Sequence, residues 1–148
     1  DKALHSMKLV KESRDVSCRV GSQMIKCVMA FSDNQTLKKF FDMVTENQSP
    51  STHSVVSGVC SYVLGIKRNS AAYMMIYGTC ESVVGAALRL GMLDHIQSQK
   101  ILHNLKPTIT QTVEQYKNQI LHDMWQFAPE YDIIQMTHEQ KFSKMFIT

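Results

Sequence analysis

The residues of this chain with the most chemical capacity are its six histidines, its four cysteines and the adjacent pair His138-Glu139. A general acid–base site needs two titratable groups converging on one reacting atom. Neighbours on a helix point in different directions, so His138 and Glu139 cannot jointly hold such a group, and a local cap or intrahelix contact is the alternative use. His95 and His103 lie eight apart and can share a helix face. Two turns separate them by about 12 Å, too far to chelate one ion unless a second chain supplies ligands. Cys18, Cys27, Cys60 and Cys80 form no Cys-x-x-Cys pair and sit within apolar helical pattern, which reads as small buried hydrophobes in a reducing compartment. No Gly-x-Ser-x-Gly, His-Glu-x-x-His or P-loop occurs. The expectation is a non-enzyme with no catalytic residue, no metal ligand set and no cofactor of its own. The competing idea, a hydrolase built on His138-Glu139 or a cysteine, is removed if activity survives alanine at those positions.

The elements that position these residues all carry helical spacing. Residues 3–31 read as one long helix around Gly21, with Leu9, Val16, Val20, Met24 and Val28 on a single stripe. Ser32-Asp33-Asn34 stops it and offers N-caps to a second helix over 35–45, whose apolar face is Leu37, Phe40, Phe41 and Val44. After the loop Asn47-Gln48-Ser49-Pro50-Ser51, a third helix covers about 53–64 and stops at Gly65. A fourth, about 69–90, is apolar almost all round and belongs in the middle of a bundle, with Gly78 and Gly85 sharing a face for close contact. Asp94 with Gln97 opens a short helix through a capping-box variant. Pro107 then suits the first position of a sixth helix ending near Trp125, and Pro129 resets the chain again. No period-two run survives, so the fold class is all-α: about six to seven packed helices in a single domain over 1–148.

Composition agrees. Apolar residues at 44% and charged residues at 20% describe a folded chain, and 6 Gly and 3 Pro leave few breakers. A net charge of +3 with no basic run gives no nucleic-acid footprint. No apolar stretch approaches the roughly 20 residues of a membrane span. The opening Asp1-Lys2-Ala3-Leu4-His5 is not a signal peptide, so a cytoplasmic location is expected. The end of the chain is different. From Asp132 onward, Ile133, Met136, Phe142, Met145 and Phe146 put large apolar groups on a weakly amphipathic tail, and uncovered aromatic surface marks an interface. Met136 and Met145 suit either an adaptable binding face or packing on the domain itself.

Four stretches, in order, resemble the urease accessory protein UreF family. Arg14, Ser17 and Gly21 are similar to its Arg-x-x-Ser-x-x-x-Gly on a long helix. His53-Ser54-Val55-Val56-Ser57-Gly58 with Gly65 beyond looks like its His…Gly…Leu-Gly segment. Ser82-Val83-Val84-Gly85-Ala86-Ala87-Leu88-Arg89-Leu90, followed by Leu93 and Gln99, resembles its small apolar run into Arg-Leu and a later Gln. Ala128-Pro129, Asp132-Ile133 and His138-Glu139-Gln140-Lys141-Phe142-Ser143-Lys144-Met145-Phe146 look like its C-terminal signature. There Phe142 stands for Tyr, Lys144 for Arg, and Ile147-Thr148 for Arg-Ser; Lys144 gives up a planar fork that can hold a carboxylate bidentately. Met92 stands where many members have Pro, and the family's Gly-rich opening segment has no counterpart.

The resemblance implies a helical, non-catalytic adaptor in nickel insertion into urease. Such an adaptor dimerises, binds UreD (also called UreH), recruits the GTPase UreG and docks on apo-urease, leaving nickel and GTP to the partner complex. Residues 132–148 become the partner-binding tail, with Asp132, His138, Glu139, Phe142, Ser143, Lys144 and Phe146 as contacts. Arg14, Ser17, Gly21, Arg89, Leu90 and Gln99 become candidates for the dimer or GTPase contact. For Arg89 a salt bridge within the bundle stays open, and for Ser17 and Gly21 close helix packing. A helical interaction module that keeps the fold without a urease role is the alternative.

Overall fold

The structure, a computed structural model, describes residues 1–125 and 127–139. These carry seven α-helices and one 3-10 turn, with no strand among the described residues, as the all-α expectation requires. The helices are α1 (Lys2–Met7), α2 (Lys11–Met29), α3 (Gln35–Thr45), α4 (His53–Val63), α5 (Arg68–Arg89), α6 (His95–Tyr116) and α7 (Pro129–Glu139). They fall into two compact units. One holds Asp1–Leu64 together with the described residues from Met124 onward; the other is Gly65–Asp123.

In the first unit α2, α3 and α4 enclose Ile25, Val28, Leu37, Val56 and Cys60. Ile25, Leu37 and Val56 are fully buried, each contributing about 1.5–3 kcal/mol of transfer free energy. Local signals place the ends of these helices as the sequence predicts. The Asn34 side chain accepts from the N–H groups of Thr36 (2.9 Å) and Leu37 (3.4 Å), capping α3. Gly65 follows the end of α4 with φ +71, a conformation that only glycine adopts cheaply.

Two expectations fail here for tertiary reasons. The single helix over 3–31 is broken at residues 8–10, where Val10 is extended and almost completely buried. Arg14 holds the break: one guanidinium nitrogen donates to the carbonyls of Lys8 (2.5 Å) and Leu9 (2.9 Å). The buried stripe of α2 also differs from the apolar one. Leu9 and Val20 are exposed, and the inward face runs Ser17, Gly21, Ile25, Val28. Half of that face consists of small residues because the backbone entering α4 lies against it.

In the second unit α5 and α6 pair as a helical hairpin. The Asp94 carboxylate accepts from the Gln97 N–H (2.7 Å) and the Gln97 side chain accepts from the Asp94 N–H (3.0 Å), completing the expected capping box. Pro107, expected to start a new helix, lies inside α6 instead. A mid-helix proline costs about 3 kcal/mol locally, yet Ser98, Leu102, Ile109 and Val113 form one buried stripe across it. Burial of that stripe against α5 carries the helix through.

α5 is not a central helix. Val84 is its one buried residue, while Met74 and Val83 are 58% and 66% exposed. Within this unit a single partner helix covers a single side of it. Nothing lies within 4 Å of a side chain added at Gly78, so the expected close approach there is absent. At 22 residues, with a mean hydropathy of 1.2 over its most apolar window, α5 is also long and apolar enough to cross a bilayer by length and composition. That corrects the expectation that no stretch approaches spanning length. Glu81 near its middle would cost about 3 kcal/mol in hydrocarbon, which weighs against a span.

Candidate functional site

The residues singled out on α2 converge on the turn that starts α4. Thr52, the N-cap of α4, makes no side-chain cap bond; instead the His53 N–H donates to Ser17 Oγ across the interface at 3.1 Å. Ser51 Oγ donates to the Cys18 carbonyl (3.1 Å) and shares a 2.8 Å hydrogen bond with Ser22 Oγ. Gly21 faces this turn so closely that an added Cβ would stand 1.9 Å from the Ser51 carbonyl oxygen. Close packing is therefore what Ser17 and Gly21 accomplish in this structure.

A residue that the sequence reading missed completes the turn. One oxygen of the Asp1 carboxylate accepts from Ser49 Oγ (2.6 Å) and the Ser51 N–H (2.8 Å). The other accepts from the Thr52 N–H (3.2 Å) and Thr52 Oγ1 (2.5 Å). Nothing in the pattern near Asp1 signals this, because its partners lie some fifty positions away.

The tail helix lies against the N-terminal end of α2. Ser13 Oγ donates to Gln135 Oε1 at 2.7 Å, and His138 Nδ1 sits 3.2 Å from Glu12 Oε2. The buried residue of α7 is polar, Asp132 at 8% exposure, while Ile133 and Ile134 are exposed by 63% and 67%. α7 therefore turns polar groups toward α2 and its aliphatic groups outward. Trp125, Phe127 and Tyr131 add aromatic surface just before and within it, exposed by 77%, 80% and 59%. His138 thus reaches Glu12 of α2. The side chain of Glu139 and residues Phe142, Ser143, Lys144 and Phe146 lie outside the described residues.

The remaining candidates belong to the second unit. Arg89 ends α5 and Leu90 follows as its C-cap, 41% exposed. Gln99 is exposed on α6, lining an open groove beside His95 and His103. Among the described residues no three His, Cys, Asp or Glu side chains gather as a metal ligand set. Near the far end of α6, Lys117 donates to Glu114 (2.5 Å), holding that carboxyl below its usual range, and the pair holds the Lys117 ammonium above its own.

The cysteines differ from the uniform burial expected of them. Cys60 is fully buried and Cys27 exposed, and all four are free thiols. Burial pushes the Cys60 thiol up; at Cys18 burial does the same, with Asp15 adding to it and Lys8 opposing. A raised pKa leaves less thiolate at any given pH, and the thiolate is what reacts. Alkylation followed by mass spectrometry is expected to modify Cys27 first and Cys60 last, with Cys60 reacting at an appreciable rate only once denaturant opens the core. Early labelling of Cys60 under native conditions contradicts that order.

A model of the UreF family matches residues 1–106 of the chain. Along 147 residues the chain is 28% identical to urease accessory protein UreF 2 of Brucella suis, covering 99% of this chain and 60% of that protein. The UreF of Trichodesmium erythraeum is 27% identical over 146 residues, 99% of this chain and 63% of the relative. That of Actinobacillus pleuropneumoniae is 24% identical over 148 residues, 100% of this chain and 65% of the relative. The chain thus spans somewhat over half the length of the curated relatives it matches. With the family model covering most of the chain and an all-helical fold beneath it, this chain belongs to the UreF family of urease accessory proteins.

Proposed function

We propose that this chain is a non-catalytic scaffold in urease maturation, which binds UreD (UreH) and recruits the GTPase UreG so that nickel reaches apo-urease. The observation that carries the reading is its membership in the UreF family, whose members compared above are named as urease accessory proteins. In this scheme the chain works in the cytoplasm as a homodimer within the complex, and GTP and nickel stay with its partners. Residues 132–148 form the UreD-binding tail. The outward aliphatic face of α7 supports this assignment: Ile133 and Ile134 project away from the α2 contacts, where a partner can bury them. Arg89, Leu90 and Gln99 are proposed for the dimer or GTPase contact.

Co-expression with UreD of the same organism, with and without residues 132–148, tests the scheme. Size exclusion with light scattering is expected to give a stable complex that is lost on deletion of the tail. A folded chain that forms no complex with UreD overturns the urease role and leaves a UreF-type helical module with a different task.

A further inference from the structure

We propose that the groove along the first half of α6 is a docking site for an acidic segment of a partner protein that carries an apolar anchor. The inference rests on reading the chain as a scaffold, and it gives the second unit a partner chemistry of its own. The groove has a volume of about 600 Å³ and is lined by Lys100, Lys106, His95 and His103, with Tyr77 of α5 and Ile96 as apolar surface. No carboxylate lines it.

The charge placement on α6 favours an anionic occupant. Between His95 and Glu114 the helix carries no Asp or Glu, so its N-terminal half presents only basic and neutral side chains. Asp94 sits outside the groove, with its carboxylate committed to the Gln97 N–H in the capping box. Lys100 and Lys106, with no carboxylate among the lining residues to offset them, make the local field favourable to an anionic ligand.

The apolar component favours a protein over a polyanion. Ile96 is 68% exposed and Tyr77 37%, so the groove offers hydrophobic surface directly beside its charges. Lys100 and Lys106 are six residues apart, about 9 Å along the axis, a spacing spanned by a short peptide with acidic groups flanking a Leu or Phe. A phosphate backbone has no apolar group to place on Ile96, and the vesicle competitor separates a lipid surface from a peptide.

The test is fluorescence anisotropy on the full chain with a short labelled peptide of Glu, Leu and Phe. Its counterpart with Lys in place of Glu, a single-stranded oligonucleotide and vesicles containing anionic lipid serve as competitors. The acidic peptide is expected to bind in a salt-sensitive way, and its Lys counterpart to fail. Joint replacement Lys100→Glu and Lys106→Glu is expected to weaken binding by about tenfold or more. Ile96→Ser, which leaves the charges intact, is expected to weaken it without changing the salt dependence. All three positions are exposed, and far-UV circular dichroism confirms that the variants fold. No binding of the acidic peptide by the folded chain overturns the proposal. So does equal binding of the two peptides, indifference to the Lys replacements, or tighter binding of the oligonucleotide or vesicles. The doubly replaced chain is expected to keep its UreD complex, so failure of the groove and failure of the scaffold reading give different results.

Discussion

Replacing Gly21 with alanine is expected to destabilise the first unit by about 3 kcal/mol or more, enough to remove most of the stability of a small helical domain. Helix propensity alone predicts the opposite sign, since alanine in a helix interior gains about 1 kcal/mol over glycine. Geometry decides against it. The new Cβ would meet the Ser51 carbonyl oxygen at 1.9 Å and Val56 Cγ2 at 3.0 Å, and the first of these is backbone rather than a side-chain tip that can swing away. Moving that carbonyl displaces the whole turn. It strains the Ser51 bonds to Cys18 and Ser22 and the His53 bond to Ser17 that caps α4. Gly58 is the internal control. It lies in α4 with nothing within 4 Å of an added side chain, so Gly58→Ala is expected to stabilise by about 0.5–1 kcal/mol through propensity. Urea unfolding followed by circular dichroism reads both. Equal effects at the two glycines contradict the close approach.

Loss of the Asp1 carboxylate is expected to cost about 2–4 kcal/mol and to loosen the entry to α4. Asp1→Ala removes the acceptor for four donors at once, and two of their owners, Ser51 and Thr52, are 2% and 0% exposed. Buried donors without an acceptor keep their full desolvation cost, which exceeds the value of the bonds themselves. Ser51 also holds φ +61, a conformation that costs a non-glycine residue about 1–2 kcal/mol and persists while its surroundings impose it. Asp1→Asn is expected to fall between. One amide oxygen can still serve Thr52, but the amide nitrogen that replaces the other oxygen cannot accept from Ser49 or Ser51. Hydrogen exchange at the amides of Ser51 and Thr52 is the direct measurement, and unchanged protection in Asp1→Ala would refute the role assigned to the carboxylate.

Both predictions concern one turn, and neither could have been made from periodicity. Gly21 is visible in the sequence as part of a family-like motif, with close helix packing as one open explanation, but its contact is with a serine thirty positions on. Ser17 reads as an ordinary helix residue until the first turn of α4 is placed against it. The same holds at the tail. An apolar pattern over Ile133 and Met136 signals an amphipathic helix, yet which face turns inward depends on what α2 offers. At that end α2 offers Glu12 and Ser13, so His138 and Gln135 meet it while the isoleucines face out.

The sequence by itself determined the helical class, the positions of α3, α4 and α5, and the caps at Asn34 and Asp94. These rest on short-range effects, such as 3.6-residue periodicity, side chains bonding backbone two or three residues away, and glycine's access to positive φ. The sequence also carried the UreF family motifs, a matter of resemblance to relatives and not of local physics. Tertiary structure alone decided that the helix breaks at residues 8–10, that α6 runs through Pro107, that α5 is covered on one side only, and that Asp1 organises a turn fifty residues away. In each case a local preference of about 1–3 kcal/mol was outweighed by burial or by hydrogen bonds to groups distant in sequence. Local pattern carries no record of which distant backbone or side chain will arrive beside a residue, and here that arrival set the geometry of the turn before α4 and of the face that α7 leaves exposed.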